Sequence, residues 1–175
     1  MSKIILILLV LFNTSGETFS QTIPSFTGLS AEDKKINIPE SSKGKYALIC
    51  FASSKKAQAD LESWLNPVYN RYIAKTGFMD DMFDVDVFFV PVFSGAEGTM
   101  EATIKKRFRE TAQKDVWPHL IFADKGLKEI LAPLKMTNES VPYFFFLDKT
   151  GKITYQTSGA FSEEKFDAID ELVVE

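Results

Sequence analysis

Cysteine and histidine are almost missing from this chain: its 175 residues include one of each, Cys50 and His119. Each scarcity closes a class of chemistry. A structural zinc cluster draws its ligands mainly from Cys and His, and a disulfide or a dithiol redox centre needs two thiols. None of these can be built within one copy, so neither a metal centre nor a cofactor is expected. Catalysis of the Ser-His or Cys-His kind could run only through His119. Long apolar runs are also scarce. The longest, Ile4 to Phe12, spans nine residues, whereas a bilayer-spanning helix needs about 20, so no stable membrane span is expected. An excess of positive charge is absent as well. Lys and Arg number 20 against 24 Asp and Glu, a net charge of −4, and nucleic acid is not an expected partner.

What is present begins with an address. Lys3 precedes the apolar run, and small and polar residues fill Asn13 to Ser20. That is the layout of a secretory signal peptide over residues 1–20, cleaved after Ser20, with a buried N-terminal strand or helix as the other reading. An exported protein, periplasmic or secreted and of a bacterial envelope, is the expectation. No Cys lies near the junction, which argues against a lipid-modified N-terminus. Asn138-Glu139-Ser140 is a glycosylation sequon, meaningful only in a eukaryotic secretory route.

Residues 21–42 read as a polar lead-in punctuated by Pro24, Gly28 and Pro39, with a short edge strand at Lys35 to Ile38. From residue 43 to 175, apolar runs alternate with helical patterns. Tyr46 to Phe51 is a nearly continuous apolar run, as a strand covered on both faces should be. Ser53 and Ser54 can cap a helix. Ala57, Leu61, Trp64 or Leu65, Val68 and Tyr72 then recur at helical spacing, with a kink at Pro67 and an end at Gly77. Val85 to Phe93 gives a second strand, with Pro91 near its end or on an edge. Thr99 caps a second helix with the stripe Met100, Ile104 and Phe108.

A third strand is expected at Leu120 to Ala123, leaving through a turn at Asp124-Lys125-Gly126, then a short helix over Leu127 to Leu134. Tyr143 to Leu147 and Lys152 to Gln156 make a hairpin around Asp148-Lys149-Thr150-Gly151, with Gly where positive φ is needed. The last helix opens at Ser162, with Phe161 and Phe166 at the two positions of a hydrophobic staple. Phe166, Ile169 and Val173 form its buried stripe. This order predicts an α/β three-layer sandwich, a mixed central sheet flanked by helices.

Val141-Pro142 directly before Tyr143 to Asp148, the following turn and strand, Gly159 and a closing helix together resemble the thioredoxin-like superfamily. The nearest flavour is its exported TlpA- and peroxiredoxin-like branch. The resemblance covers about Lys43 to Glu175. It implies a cis-proline at Pro142, in a loop whose backbone bonds an extended peptide beside the first long helix. It also implies a CxxC motif at that helix start, where the helix dipole and free amides lower a thiol pKa. Here the stretch reads Ala52-Ser53-Ser54-Lys55-Lys56-Ala57-Gln58, with Lys55 and Gln58 aligned on the two cysteines. Neither dithiol exchange nor peroxiredoxin chemistry is available at that place.

Single residues carry competing readings. Cys50, inside an apolar strand, is read as core packing, with an accessible sensor or an intermolecular disulfide as the alternative. His119 is read as a rim histidine. Lys55 and Lys56 oppose the helix dipole; the bland reading is solvated lysines, the functional one a rim for an anionic or acidic segment. Lys105-Lys106-Arg107-Phe108-Arg109 is read as a solvated helix face. The 16 Phe residues are read as sheet core, although the Phe144 to Phe146 strand could line a pocket.

Two functions from different classes follow. The first is a protein- or peptide-binding module, chaperone-like or assembly-related, with a groove formed by Ser53, Ser54, Lys55, Val141 and Pro142. A mitochondrial family of ATP-synthase assembly factors shares such a Cys-less architecture, an analogy of fold only. The second is a thiol redox enzyme or sensor using Cys50 alone. A non-redox enzyme ranks last, because no paired acid and base is supplied.

Overall fold

The computed structural model describes residues 21–93, 98–123 and 126–174. The signal peptide expected over residues 1–20 and the turn residues Asp124 and Lys125 lie outside them. Among the described residues, seven strands form two sheets. The main sheet has the order β4-β3-β6-β7, built from β3 (Tyr46–Ala52), β4 (Val85–Pro91), β6 (Tyr143–Leu147) and β7 (Ile153–Ser158). β3 and β4 run parallel, while β6 is antiparallel to both β3 and β7. A second sheet, β2-β1-β5, comprises β1 (Phe26–Ser30), β2 (Lys35–Ile38) and β5 (Ile121–Ala123). A parallel bridge between Phe89 and Leu120 joins the two. Helices α1 (Lys55–Val68), α2 (Gly98–Thr111), α3 (Leu127–Ile130) and α4 (Glu163–Val174) connect or close them.

Side-chain alternation along the main sheet feeds two separate cores. Ala47, Ile49 and Phe51 of β3, with Phe88, Val90, Phe145 and Leu147, face Ile23, Phe26, Ile38, Ile121, Leu127 and Leu131. Leu48 and Cys50, with Val87, Phe89, Phe144 and Phe146, face Trp64, Val68, Tyr72, Phe166 and Ile169 of the helical layer. The three consecutive phenylalanines are thus divided between the cores, and all three are buried. Trp64, rather than Leu65, takes the core position of α1. Its ring stacks on Phe144 at 4.1 Å between centroids, and its Nε1–H donates to the Gly159 carbonyl at 3.0 Å.

Several expectations need correction. The lead-in is more than a polar approach: Phe26–Ser30 adds a strand, and Phe26 packs on Phe51 with ring centroids 6.0 Å apart. Gly28 makes that strand possible, since a Cβ there would lie 2.5 Å from the Phe122 carbonyl oxygen. Helix α1 carries Pro67 and passes directly into a wider turn over Tyr69–Ile73, so the helical path ends before Gly77. Thr99 lies within α2 rather than ahead of it.

The basic cluster on α2 is not simply solvated. Lys105 pairs with Asp33 in the β1–β2 turn, and Arg109 reaches both Asp33 and, from Nε, the Ala31 carbonyl at 2.5 Å. Together these cations hold the Asp33 carboxyl below its usual range, the Lys105 and Arg109 hydrogen bonds being the main causes. Arg109 also sits 5.7 Å from the centroid of the Trp117 ring.

A charged network closes the helical core. Arg71 pairs with the buried Asp80 at 2.9 Å and with Asp170 of α4 at 3.2 Å, while the Tyr72 hydroxyl donates to Asp170 at 2.6 Å. Asp80 also accepts from the Gly77 amide at 2.6 Å. This fixes the loop whose tip exposes Phe78 and Met79. The staple at α4 forms as expected, with Phe161 and Phe166 centroids 5.7 Å apart.

The β6–β7 turn follows its sequence closely. Gly151 adopts φ +87°. Asp148 accepts from the Thr150 amide at 2.8 Å, the Thr150 hydroxyl at 2.6 Å and the Lys152 amide at 3.0 Å. Partial burial pushes the Asp148 carboxyl up, but these hydrogen bonds outweigh it and hold the group below its usual range. A depressed folded pKa means stability that is present above the unfolded value of about 3.9 and lost as pH falls through the folded value. Denaturant melts of wild type and Asp148→Asn should therefore differ most near neutral pH. The gap is expected to narrow in acid, and a pH-independent gap would contradict this origin.

Candidate functional site

The site is built where strands end and α1 begins. β3, β4 and β7 all point their C-terminal ends the same way, so Ala52, Pro91 and Ser158 lie on one rim of the sheet. Ser54 stands at the N-cap of α1 in extended conformation, its Oγ accepting the Ala57 amide at 3.1 Å. The same hydroxyl donates to the Glu139 carbonyl at 2.7 Å. Helix start and the loop before β6 are thereby tied together by one side chain. The amides of Lys55 and Lys56, ahead of Ala57 in the first turn, have no carbonyl of their own helix to bond.

The loop itself is well ordered by short-range bonds. The Asn138 side chain accepts the Ser140 amide at 3.0 Å, and the Asn138 amide donates to the Tyr143 hydroxyl at 2.9 Å. Glu139 also pairs with Lys128 of α3 at 2.6 Å. Between loop, α3 and strand ends lies a depression of about 220 Å³. Val92, Leu131 and Met136 give it an apolar floor, and Ser53, Lys128, Lys135 and Glu139 line its polar sides.

The candidate groove residues meet here only in part. Ser53 lines the depression, Ser54 ties the loop down, and Lys55 is exposed directly after the cap. Val141 and Pro142 lead into β6, but their backbone is committed within the chain. The Val141 amide is directed at the Asn138 carbonyl at 3.4 Å, and the Pro142 carbonyl accepts the Gly159 amide at 3.0 Å. The cis-proline implied by resemblance is not found at Val141-Pro142. Among the described residues, the cis peptide bond joins Ile38 and Pro39 instead.

Cys50 lies in the strand leading to this rim, 1% exposed between Phe89 and Phe144. Burial pushes its thiol well above the usual range, the opposite of what a nucleophilic or redox-active thiolate requires. His119 is half-buried, and its Nδ1 bonds the Val87 carbonyl at 2.8 Å, within the sheet edge rather than in the depression. Among the described residues no group of His, Cys, Asp and Glu is placed to hold a metal ion, and no helix is long and apolar enough to cross a membrane. The residues that sequence reasoning missed are Lys128, Lys135 and Glu139. Each is a charged loop or short-helix residue, which reads as solvated until the fold brings them together.

This arrangement of strands, helices and rim defines the class. The chain has the thioredoxin-like fold. It resembles the exposed lipoprotein thioredoxin of Streptococcus pneumoniae (TM-score 0.55, 20% identity, covering 86% of this chain and 98% of that one). It also resembles a putative thiol:disulfide interchange protein DsbE from Chlorobium tepidum (TM-score 0.57, 17% identity, 89% and 97% covered). A member of the Sco family of cytochrome c oxidase assembly proteins is similar to it too (TM-score 0.56, 15% identity, 87% and 92% covered). No curated protein matches the sequence. The chain belongs to the ATP10 protein family, whose sequence profile matches residues 16–174.

Ser54 carries both the cap and the loop tether, so its removal is expected to loosen both. Ser54→Ala should cost about 0.5–2 kcal/mol of stability by loss of the cap alone. Amide hydrogen exchange in residues 137–141 should rise at the same time. A Ser54→Ala chain with unchanged exchange there would mean that the tether is not what orders the loop.

Proposed function

We propose that this protein is a redox-silent thioredoxin-like module that acts by binding a protein or an extended peptide segment, as an assembly or chaperone-like factor. One observation carries the reading. At the place where the fold's redox members hold their thiols, this chain has Ser53-Ser54-Lys55 beside an open depression with an apolar floor, while its single thiol is sealed in the core. A binding surface is kept and the reactive group is gone. Membership of the ATP10 family and the likeness to an oxidase-assembly protein agree with an assembly role, and the ATP synthase is the assembly that the family analogy suggests. The N-terminal pattern fits export, with the module working in the envelope.

Two measurements test this. Alkylation of Cys50 in the native protein is expected to be negligible until denaturant is added, and a disulfide-reductase assay is expected to stay at background. Rapid native alkylation would instead favour the thiol enzyme. In parallel, a photo-crosslinking amino acid placed at Ser53 should give partner adducts in an envelope extract, and one placed at the exposed Thr154 of β7 should not. Equal labelling from both positions would refute a site at the strand ends.

A further inference from the structure

We infer, on the footing of the binding reading above, that the segment recognised is acidic and extended, and that Glu139 occupies its place in the free protein. The depression is apolar below and cationic at its sides. Val92 and Leu131 are buried in its floor, and Lys128 and Lys135 line it. Lys55 and Lys56 follow directly on the Ser54 cap, both exposed. Two lysines on the depression and two more in the first turn of α1, next to Ser53 and Ser54, are conspicuous in a chain of net charge −4. Two of them oppose the α1 dipole, and the first-turn amides add partial positive charge to the same spot. An arrangement unfavourable for the helix alone becomes favourable when a carboxylate arrives.

One carboxylate is already there. Glu139 places its side chain on Lys128 and its carbonyl on the Ser54 hydroxyl. Both partners of the ion pair are about half exposed, at 52% and 57% of their side chains, so water screens the pair and an incoming acid can exchange for it. An extended segment presents side chains alternately to opposite faces. Acidic residues on one face would meet Lys128 and Lys135, while apolar residues on the other would lie on Val92, Leu131 and Met136. A neutral segment gains the floor only, and a basic one is repelled. Glu139 therefore acts as a built-in competitor that keeps the cations paired until a partner acid displaces it.

The test uses the full chain and a fluorescein-labelled peptide of alternating Glu and Leu, with the Gln-Leu peptide as its neutral match, read by fluorescence anisotropy. The Glu-Leu peptide should bind, bind more weakly as salt is raised, and bind better than Gln-Leu. Lys128→Glu with Lys135→Glu should abolish binding in a chain whose circular dichroism and melting show it folded. Glu139→Gln should tighten binding about two- to fivefold, the range a screened ion pair can supply. Equal binding of the two peptides overturns the acidic class and leaves the binding reading standing. A Glu139→Gln chain that binds no tighter overturns the competitor role. If neither peptide binds wild type or Glu139→Gln, this inference falls, and the crosslinking from Ser53 still decides the binding reading separately.

Discussion

Strand β3 is the constraint on which the rest of the molecule depends, because it is buried on both faces and its side chains must satisfy two cores at once. Ala47, Ile49 and Phe51 serve the face covered by the β1–β2 hairpin and α3; Leu48 and Cys50 serve the face covered by α1 and α4. A thiol at position 50 is enclosed by neighbours on either strand, Phe89 and Phe144, and by the helical layer beyond them. A one-residue slip of β3 would reverse every side chain of the strand and still leave the thiol in a core, on the opposite face. The burial of Cys50 is therefore a consequence of the sheet, not of a local accident.

The same strand delivers the chain to the start of α1. In a redox member of the fold, that point must be open, because thiol exchange needs a thiolate that a partner disulfide can reach. Here the Ser54 hydroxyl bonds both the first turn and the loop at Glu139, so the loop is tied to the helix start at that one point. The two requirements exclude each other at this position. A hydroxyl that caps and tethers gives a fixed rim with polar and cationic groups, the surface on which the proposed binding rests.

How much of this was legible in the sequence follows from the range over which each signal acts. The β6–β7 hairpin was readable from Asp148 to Gly151, and the α4 staple from Phe161 and Phe166, since both are closed by residues a few positions apart. The alternation of runs and stripes placed β3, β4, β6 and α1, but helical spacing alone could not choose between Trp64 and Leu65. β1 was missed because Phe26–Ser30 carries Gly28 and two polar residues, and it is held between the nearby β2 and β5, the latter nearly a hundred positions away. The Lys105 and Arg109 contacts with Asp33 are equally remote. Resemblance supplied the fold and the position of the rim, but not the geometry of Val141-Pro142, where the backbone bonds to Asn138 and Gly159 that set the path into β6 belong to this chain's own loop.

The depression combines residues of both kinds. Ser53 and Ser54 were visible as a cap, whereas Lys128, Lys135 and Glu139 come from segments whose spacing carries no periodic signal. What unites them is electrostatic rather than apolar. A helix start followed by two lysines is a poor local choice, and such a conflict is in keeping with a role beyond folding. The apolar parts of the molecule agree with one another: the two cores, the staple and the turn all favour the same structure. Local preference and fold disagree at the rim of α1, which is also where the resemblance implies the redox motif. Stability is set elsewhere, by β3 and by the Arg71 network at α4, so the rim can carry an unfavourable charge arrangement without endangering the fold.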